Sequence, residues 1–224
     1  MSLKQSYFRY RISFTKLGST RFIGHLDLQS LFQRAIKRAK LPVAYSEGFN
    51  PHQLLSFAAP LPLGMGGFEE MLEIFLIYEV NVKEIVTLLQ DQLPDGIDIV
   101  GVVEVPAIGR SAAAIIQKAT YRITFSHNFD IRLEKIISDI LTSESIKVEK
   151  KGKKGMSVVD IRPDIFEIVV DEDNSLRAIL ACGSERNLKA NILAHHILGL
   201  SEIAQNDCDI TYERLSIGQD VPKL

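Results

Sequence analysis

The feature that most constrains the fold is a strict alternation of apolar and polar side chains near the start of the chain. The alternating residues are Phe8, Arg9, Tyr10, Arg11, Ile12, Ser13, Phe14 and Thr15. A side-chain period of two is typical of a strand with one buried face. We therefore predict a first strand over residues 7–16, with its aromatic side chains on the core and Arg9 and Arg11 on the opposite face of the sheet.

An amphipathic helix is predicted next, over residues 26–40. Its apolar side chains recur at helical spacing, and Arg34, Lys37 and Arg38 lie on the other side. Pro42 ends it, because the residue before a proline is disfavoured in helical conformation. We then predict a short strand within 54–59, a strand over 71–79, a helix over 82–93 and a strand over 97–105. This element order is that of the split ferredoxin-like motif.

The same order of elements recurs in the second half of the chain. Predicted strands cover 121–125, 146–150, 156–161, 166–170, 176–182 and 210–217, and predicted helices cover 129–141 and 187–200. We therefore predict an α+β fold of two tandem ferredoxin-like βαββαβ units with antiparallel sheets, the second with an added hairpin. The first unit spans residues 1–106 and carries the basic loop motifs, residues 107–120 form a linker, and the second unit spans 121–224.

Charge is distributed unevenly along the chain, although the net charge is only −2. Residues 1–60 contain nine Lys and Arg against two Asp and Glu, a net charge of +7. Residues 61–106 contain one Lys against nine acidic side chains, a net charge of −8. A local positive field attracts phosphate even when the whole chain is slightly acidic, although the two signs can also pair across one sheet.

Several classes of protein are not indicated by the sequence. The apolar stretches are far shorter than the roughly 20 residues of a membrane helix, and the N-terminus lacks the apolar core of a secretory signal. We therefore expect a cytoplasmic protein without a membrane partner. With only Cys182 and Cys208 present, no metal centre and no cofactor are expected. Phosphate-loop, dinucleotide-binding and nucleophile-elbow motifs are also missing, so enzymatic activity is uncertain and not favoured.

The first candidate ligand-binding loop, residues 21–27, leads into the predicted helix. Free backbone N–H groups and the helix dipole favour anions there, and Arg21 can add a bidentate fork. His25 can alternatively cap the helix, and Asp27 can simply match the helix dipole.

The second candidate loop, residues 45–52, combines Pro and Gly with several polar side chains. Asn50 precedes Pro51 and is held in an extended or turn conformation. His52 can donate to phosphate or exchange a proton near neutral pH, but a rigid turn with only local contacts is the alternative. We predict that both loops converge in one positive pocket. The predicted ligand-binding residues are Arg21, His25, Asp27, Tyr45, Ser46, Asn50, His52 and Ser56.

Basic side chains elsewhere are candidates for contacts with nucleic-acid phosphates. The predicted contacts are Arg9, Arg11, Arg34, Lys37, Arg38, Lys151, Lys153 and Lys154. The lysines of the loop 150–155 can alternatively form a solvated hairpin tip. The segment 160–163 predicts an ion pair between Asp160 and Arg162 at a strand end.

Three segments carry a resemblance to a known family. They are residues 21–28 (RFIGHLDL), 42–52 (PVAYSEGFNPH) and 56–64 (SFAAPLPLG), with 160–163 (DIRP) as a weaker likeness. The chain resembles the radical-SAM-linked proteins, a bacterial domain of unknown function. Such proteins occur beside, or fused to, a radical-SAM protein with a cobalamin-type domain, sometimes near a ribonuclease of the E/G kind. The resemblance implies a radical-SAM enzyme as partner and RNA or another macromolecule as substrate.

Three functional hypotheses follow from the sequence. The leading one is an accessory protein that binds RNA or a phosphate-bearing substrate for a radical-SAM enzyme. The second is an RNA-processing or RNA-modifying enzyme with His25 or His52 as general acid or base. The third is a protein scaffold whose acidic segment 61–106 docks a partner.

Overall fold

The chain divides into two compact units, Met1–Ile116 and Gln117–Leu224. The structure is a computed structural model that describes residues 7–126, 133–152, 155–173, 175–201 and 208–218. The boundary between the units falls inside the segment 107–120 that the sequence predicts as a linker. Both units combine α-helices with antiparallel strands, which confirms the predicted α+β class.

In the first unit, β1 is the central strand. The elements in chain order are β1 Phe8–Lys16, a 3-10 helix Gly18–Phe22, α1 His25–Arg38, β2 Leu55–Phe57, β3 Gly66–Leu76, α2 Val82–Gln90, β4 Ile99–Val105 and the short α3 Ala112–Ile115. β1 pairs antiparallel with β3 on one side and β4 on the other, and β2 pairs antiparallel with β3. The order of these strands is therefore β4-β1-β3-β2.

The predicted alternation of β1 is confirmed on the core side of the sheet. Tyr10, Ile12 and Phe14 are buried in one cluster with the apolar faces of α1 and α2. Burial of each such side chain stabilises the fold by about 1.5–3 kcal/mol. The Tyr10 hydroxyl donates to the carbonyl of Val80 at 2.9 Å and accepts from its N–H at 3.0 Å. Its polar end is therefore satisfied inside the core.

The opposite face of β1 is not an open basic surface. Arg9 is only 3% exposed, and its Nη2 donates to Glu73 Oε1 at 2.6 Å, while Arg11 Nε donates to the same oxygen at 2.8 Å. Both guanidinium groups also donate to the carbonyl of Arg110, at 2.8 and 2.9 Å. The chain after β4 therefore lies across this face of the sheet.

Arg9 and Arg11, which the sequence predicts as nucleic-acid contacts, are thus held against Glu73 and the chain after β4. Arg11 and Glu73 are cross-strand neighbours in the β1–β3 ladder. Alternation within one strand reveals which residues share a face, but it does not reveal the acidic partner on the next strand or the segment that covers both.

The second unit is built around β5. Its elements are β5 Lys118–Phe125, α4 Leu133–Thr142, β6 Lys147–Gly152, β7 Gly155–Asp160, a 3-10 helix Arg162–Asp164, β8 Ile165–Val170, β9 Leu176–Ala181, α5 Ala190–Ser201 and β10 Ile210–Gly218. β5 pairs antiparallel with β9 and β10, and β8 pairs antiparallel with β9. The strands β6 and β7 form a separate two-stranded sheet.

The predicted elements agree with the structure to within a few residues at most ends. The largest difference is β3, which begins at Gly66 rather than at the predicted residue 71. Gly67 pairs with Lys16 in the β1–β3 ladder, and glycines contribute no side-chain alternation that a sequence pattern could detect. Part of the helix predicted over 129–141, residues 129–132, lies outside the described residues. Across the described ranges, no helix is both long and apolar enough to cross a membrane.

We predict that Glu73→Gln strongly destabilises the first unit. The substitution leaves the buried Arg9 guanidinium without its counter-charge, and breaking a buried ion pair in this way costs about 3–5 kcal/mol. Urea denaturation measures the free energy of unfolding. Glu69→Gln, on an exposed position of the same strand, is the control and should change it by no more than about 0.5 kcal/mol. Equal stabilities of the two variants would contradict this role of Glu73.

The same cluster predicts a dependence of stability on pH. Burial raises the pKa of the Glu73 carboxyl, but hydrogen bonds from Arg9 and Arg11 outweigh burial and lower the pKa below its ordinary value of 4.5. A carboxyl with a lowered folded-state pKa stabilises the fold above its unfolded-state pKa, and this contribution is lost as the pH falls through the folded-state value. The stability difference between parent and Glu73→Gln should therefore be largest near pH 7 and shrink below pH 4.5. A stability difference that stays constant as the pH falls below 4.5 would contradict this role of the Glu73 carboxylate.

Candidate functional site

The first predicted loop is held in place through its backbone. The carbonyl of Arg21 accepts a hydrogen bond from Nζ of the buried Lys16 at 2.9 Å and another from the N–H of Gly64 at 2.9 Å. The segments 21–28 and 56–64 therefore meet at the N-terminal end of α1.

The side chains of this loop are mostly exposed. The Arg21 guanidinium lies 4.8 Å from the centre of the Phe22 ring, and Phe22 is 60% exposed. His25 is exposed, and its ring stands edge-on to Phe57 at 5.5 Å. Gly24, not His25, is the N-cap of α1. The His25 side chain is therefore not the helix cap. It lies at the surface, against the ring of Phe57.

The second predicted loop is closed at its base by Ser46 and His52. The N–H of Ser46 donates to the carbonyl of His52 at 2.8 Å, and the Ser46 hydroxyl accepts the N–H of His52 at 3.1 Å. The hydroxyl also lies 2.8 Å from His52 Nδ1. Gly48 adopts a positive φ of 116° at the turn, and the next residue, Phe49, is fully exposed. The loop therefore displays an aromatic ring at its tip, with the exposed Asn50 beside it.

The two loops lie beside opposite ends of β2. At one end, Phe57 contacts His25; at the other, Gln53 Nε2 donates to the carbonyl of Gln33 at 3.2 Å. His25 and Gln33 are eight residues apart on α1, which corresponds to about 12 Å along the helix axis. The structure therefore places the predicted pocket residues in two groups, with the exposed Ser56 between them on β2. The sequence could not reveal how far apart the two loops lie, because the extended strand β2 between them sets their separation.

We call these groups the α1 group and the Phe49 group. The α1 group is Arg21, Phe22, His25, Leu26 and Asp27. The Phe49 group is Tyr45, Ser46, Phe49, Asn50 and His52. Each group combines exposed aromatic rings with side chains that can donate hydrogen bonds to an anion. Cations and aromatic faces together can bind phosphates and stack on bases.

Tyr45 is the one exposed large apolar side chain of these loops that the sequence predicted as a ligand-binding residue. Four others were not predicted, although the structure leaves them exposed: Phe22, Leu26, Phe49 and Leu63. The sequence did contain a signal that Phe49 is exposed. Phe49 lies between Gly48 and the Asn50–Pro51 turn, where no periodic pattern assigns a side chain to a buried face.

The predicted phosphate-contact residues lie in different places. Arg34 and Lys37 are exposed on α1, whereas Arg38 donates to the Gln92 carbonyl at 2.6 Å. Arg34 and Arg38 also line a surface cavity of about 420 Å³. Lys151 lies on β6, and Lys153 and Lys154 lie outside the described residues.

The predicted Asp160–Arg162 ion pair is replaced by two sets of backbone contacts. Asp160 Oδ1 accepts the N–H groups of Ile146 at 2.9 Å and Arg162 at 3.0 Å, and these bonds lower the pKa of Asp160. The Arg162 guanidinium donates to the carbonyls of Leu141, Ser143 and Ile165 at 2.8, 3.1 and 2.8 Å. Arg162 thereby satisfies carbonyls at the C-terminal end of α4, which have no partner within the helix.

The geometry gives little support for catalysis at His52. Ser46 and His52 are within hydrogen-bond distance, as a nucleophile and its base would be, but the Ser46 hydroxyl already accepts the N–H of its own loop. This arrangement is that of a local turn closed by a serine side chain. Among the described residues, no group of three or more His, Cys, Asp or Glu side chains is placed to hold a metal ion.

Most of the chain matches the model of a known family, whereas no curated protein matches the chain. Residues 9–190, more than four-fifths of the chain, match the model of a family described as "Uncharacterized protein conserved in bacteria (DUF2344)". The matched range contains all three segments on which the resemblance was based. The chain therefore belongs to this family of uncharacterized bacterial proteins.

Proposed function

We propose that this chain is a cytoplasmic accessory protein that binds single-stranded RNA for a radical-SAM enzyme. The observation that carries the proposal is the display of exposed rings and cationic or hydrogen-bonding side chains at both ends of β2. Proteins bind single-stranded nucleic acids by stacking bases on aromatic rings and contacting the backbone with basic side chains. Phe22 with Arg21 offers both kinds of contact, and Phe49 offers an exposed ring beside the hydrogen-bonding side chains of Asn50 and His52.

The separation of the two groups favours an extended ligand. A ligand that contacts both groups must extend along α1 past the stretch from His25 to Gln33, which is about 12 Å long. A nucleic-acid strand lying along the α1–β2 side of the first unit could contact both. Arg34 and Lys37, exposed on α1, are available for further phosphate contacts of the kind that makes RNA affinity sensitive to salt.

The radical-SAM partner rests on the resemblance of the three loop segments to the radical-SAM-linked proteins. Membership of a family of uncharacterized bacterial proteins is compatible with that partner. In this proposal the chain supplies substrate binding and the partner supplies the chemistry.

We also propose that both units are ferredoxin-like. The strand order β4-β1-β3-β2 in the first unit supports this, as do the antiparallel pairings β10-β5-β9-β8 in the second. In each unit two helices connect strands that are not neighbours, which is the connection pattern of the split βαβ motif.

A scaffold role remains the competing proposal. Seven of the nine carboxylates in residues 61–106 are exposed, while Glu70 and Glu73 are buried. An acidic surface of this kind could dock a basic partner protein. Copurification of a partner that resists nuclease treatment, with no RNA bound by the isolated chain, would favour the scaffold over RNA binding.

We predict that Phe49→Ala weakens binding of a short, fluorescein-labelled single-stranded RNA of mixed sequence. Loss of one stacked base costs about 1–3 kcal/mol of binding free energy. Fluorescence anisotropy measures the affinity, and the melting temperature should stay at the parent value because Phe49 is fully exposed. Phe22→Ala should act in the same direction at the other end of β2.

Ile108→Ala is the matched control, because Ile108 is a large apolar side chain that is 91% exposed outside both groups. It should bind RNA as the parent does. If Phe49→Ala and Ile108→Ala bind equally, the stacking role is wrong. If the parent itself does not bind RNA, the proposed function is wrong.

A further inference from the structure

The strand β4 lies at an edge of the first unit, at the end of the strand order that is farthest from β2. Among the described strands it pairs only with β1. Within the described ranges, the backbone of residues 100–105 makes no hydrogen bond to a loop or a side chain. The N–H and C=O groups on the outer side of β4 are therefore placed to pair with an extended segment of another chain.

The side chains of β4 favour the addition of a strand. Its sequence, IVGVVEV, contains no Lys, Arg or Pro, which are residues that commonly protect an edge strand. Val100 and Val103 are each 56% exposed. The register with β1 shifts between Ser13 and Phe14, where Val100 has no counterpart, so a bulge interrupts the start of the edge. The regular stretch is therefore residues 101–105.

The surface around this edge is acidic. Residues 81–105 form α2, the turn after it and β4, and they contain one lysine against five carboxylates, a net charge of −4. All five carboxylates are exposed: Glu84, Asp91, Asp95, Asp98 and Glu104. A second copy of this chain would bring two acidic edges together, whereas a segment that carries Lys or Arg is complementary in charge. The charge therefore favours a basic segment as the occupant.

A cavity of about 380 Å³ lies beside the C-terminal end of the edge. Tyr7 and Phe8 line it at the start of β1, and the exposed Glu104 lines it at the end of β4. Aromatic rings beside a carboxylate suit the cationic side chain of Lys or Arg. Arg9 also lines the cavity, but its charge is already paired with Glu73. The cavity is therefore suited to a basic side chain.

From these features we infer that β4 docks an extended, basic segment of a partner protein. The segment pairs with residues 101–105 as an added strand, and one of its Lys or Arg side chains enters the cavity beside Glu104. This inference does not depend on RNA binding, because β4 and β2 lie at opposite ends of the strand order. It adds a site and a mode of docking to the acidic surface of the first unit.

The test uses a short, fluorescein-labelled peptide of alternating lysine and valine, with both ends blocked, and the full chain. Fluorescence anisotropy should show that the chain binds this peptide. The same peptide methylated at every backbone nitrogen should not bind, because it cannot donate to a strand edge. A peptide of alternating glutamate and valine should not bind either, because the edge is acidic. Hydrogen exchange of the β4 amides should slow when the lysine peptide is bound.

Two variants with matched controls locate the peptide on the chain. Val103→Lys should abolish binding, because a lysine on an edge opposes strand addition, whereas Leu63→Lys adds the same charge at another exposed apolar residue and should bind as the parent does. Glu104→Gln should weaken the affinity about two- to fivefold, as expected for one exposed ion pair. Glu69→Gln removes the same charge from an exposed position on β3 and should leave the affinity unchanged.

Four results would overturn the inference. They are a parent chain that does not bind the lysine peptide, equal binding of the methylated peptide, equal affinities of Val103→Lys and Leu63→Lys, and a parent dimer that Val103→Lys dissociates in analytical ultracentrifugation. The last result would assign the edge to a second copy of the chain. Melting curves establish that each variant is folded. Because none of these measurements involves RNA, they leave the proposed function standing if they fail, and a failure of RNA binding leaves this inference standing.

Discussion

The geometry of the candidate RNA surface depends on one aromatic cluster. Phe14 of β1, Phe32 of α1 and Phe57 of β2 pack edge-to-face, with ring centres 4.8 to 5.9 Å apart. His25 extends the cluster to the surface through its contact with Phe57. Such pairs contribute about 0.5–1.5 kcal/mol each beyond the burial of their area. The cluster ties the start of α1 to the end of β2, and it thereby fixes the position of the α1 group relative to the strand that leads to the Phe49 group.

The basic side chains of the first unit lie in two kinds of environment. Part of the uneven distribution along the sequence is resolved inside the sheet, where Arg9 and Arg11 share Glu73. Lys16 is buried as well, whereas Arg21, Arg34 and Lys37 stay exposed on a loop and on α1. The net charge of residues 1–60 therefore overstates the charge that a ligand would meet.

Sequence patterns predicted most of the fold because strands and helices each have their own period. The alternation of β1 and the helical spacing of α1 reflect burial, which the structure confirms for Tyr10, Ile12, Phe14 and Phe32. The candidate site was predicted less completely. Residue type pointed to His25 and His52, but the distance between their loops depends on β2, a strand of only three residues. The burial of Arg9 depends on Glu73, which is more than sixty residues away in the chain.

The central claim is that one RNA strand contacts both ends of β2. Ultraviolet cross-linking of the chain to single-stranded RNA, followed by mass spectrometry of the cross-linked peptides, tests it most directly. The account predicts cross-links in peptides that contain Phe22–His25 and in peptides that contain Tyr45–His52, both competed by unlabelled RNA. Cross-links confined to other parts of the chain, or none above the level of a non-binding protein, would contradict it.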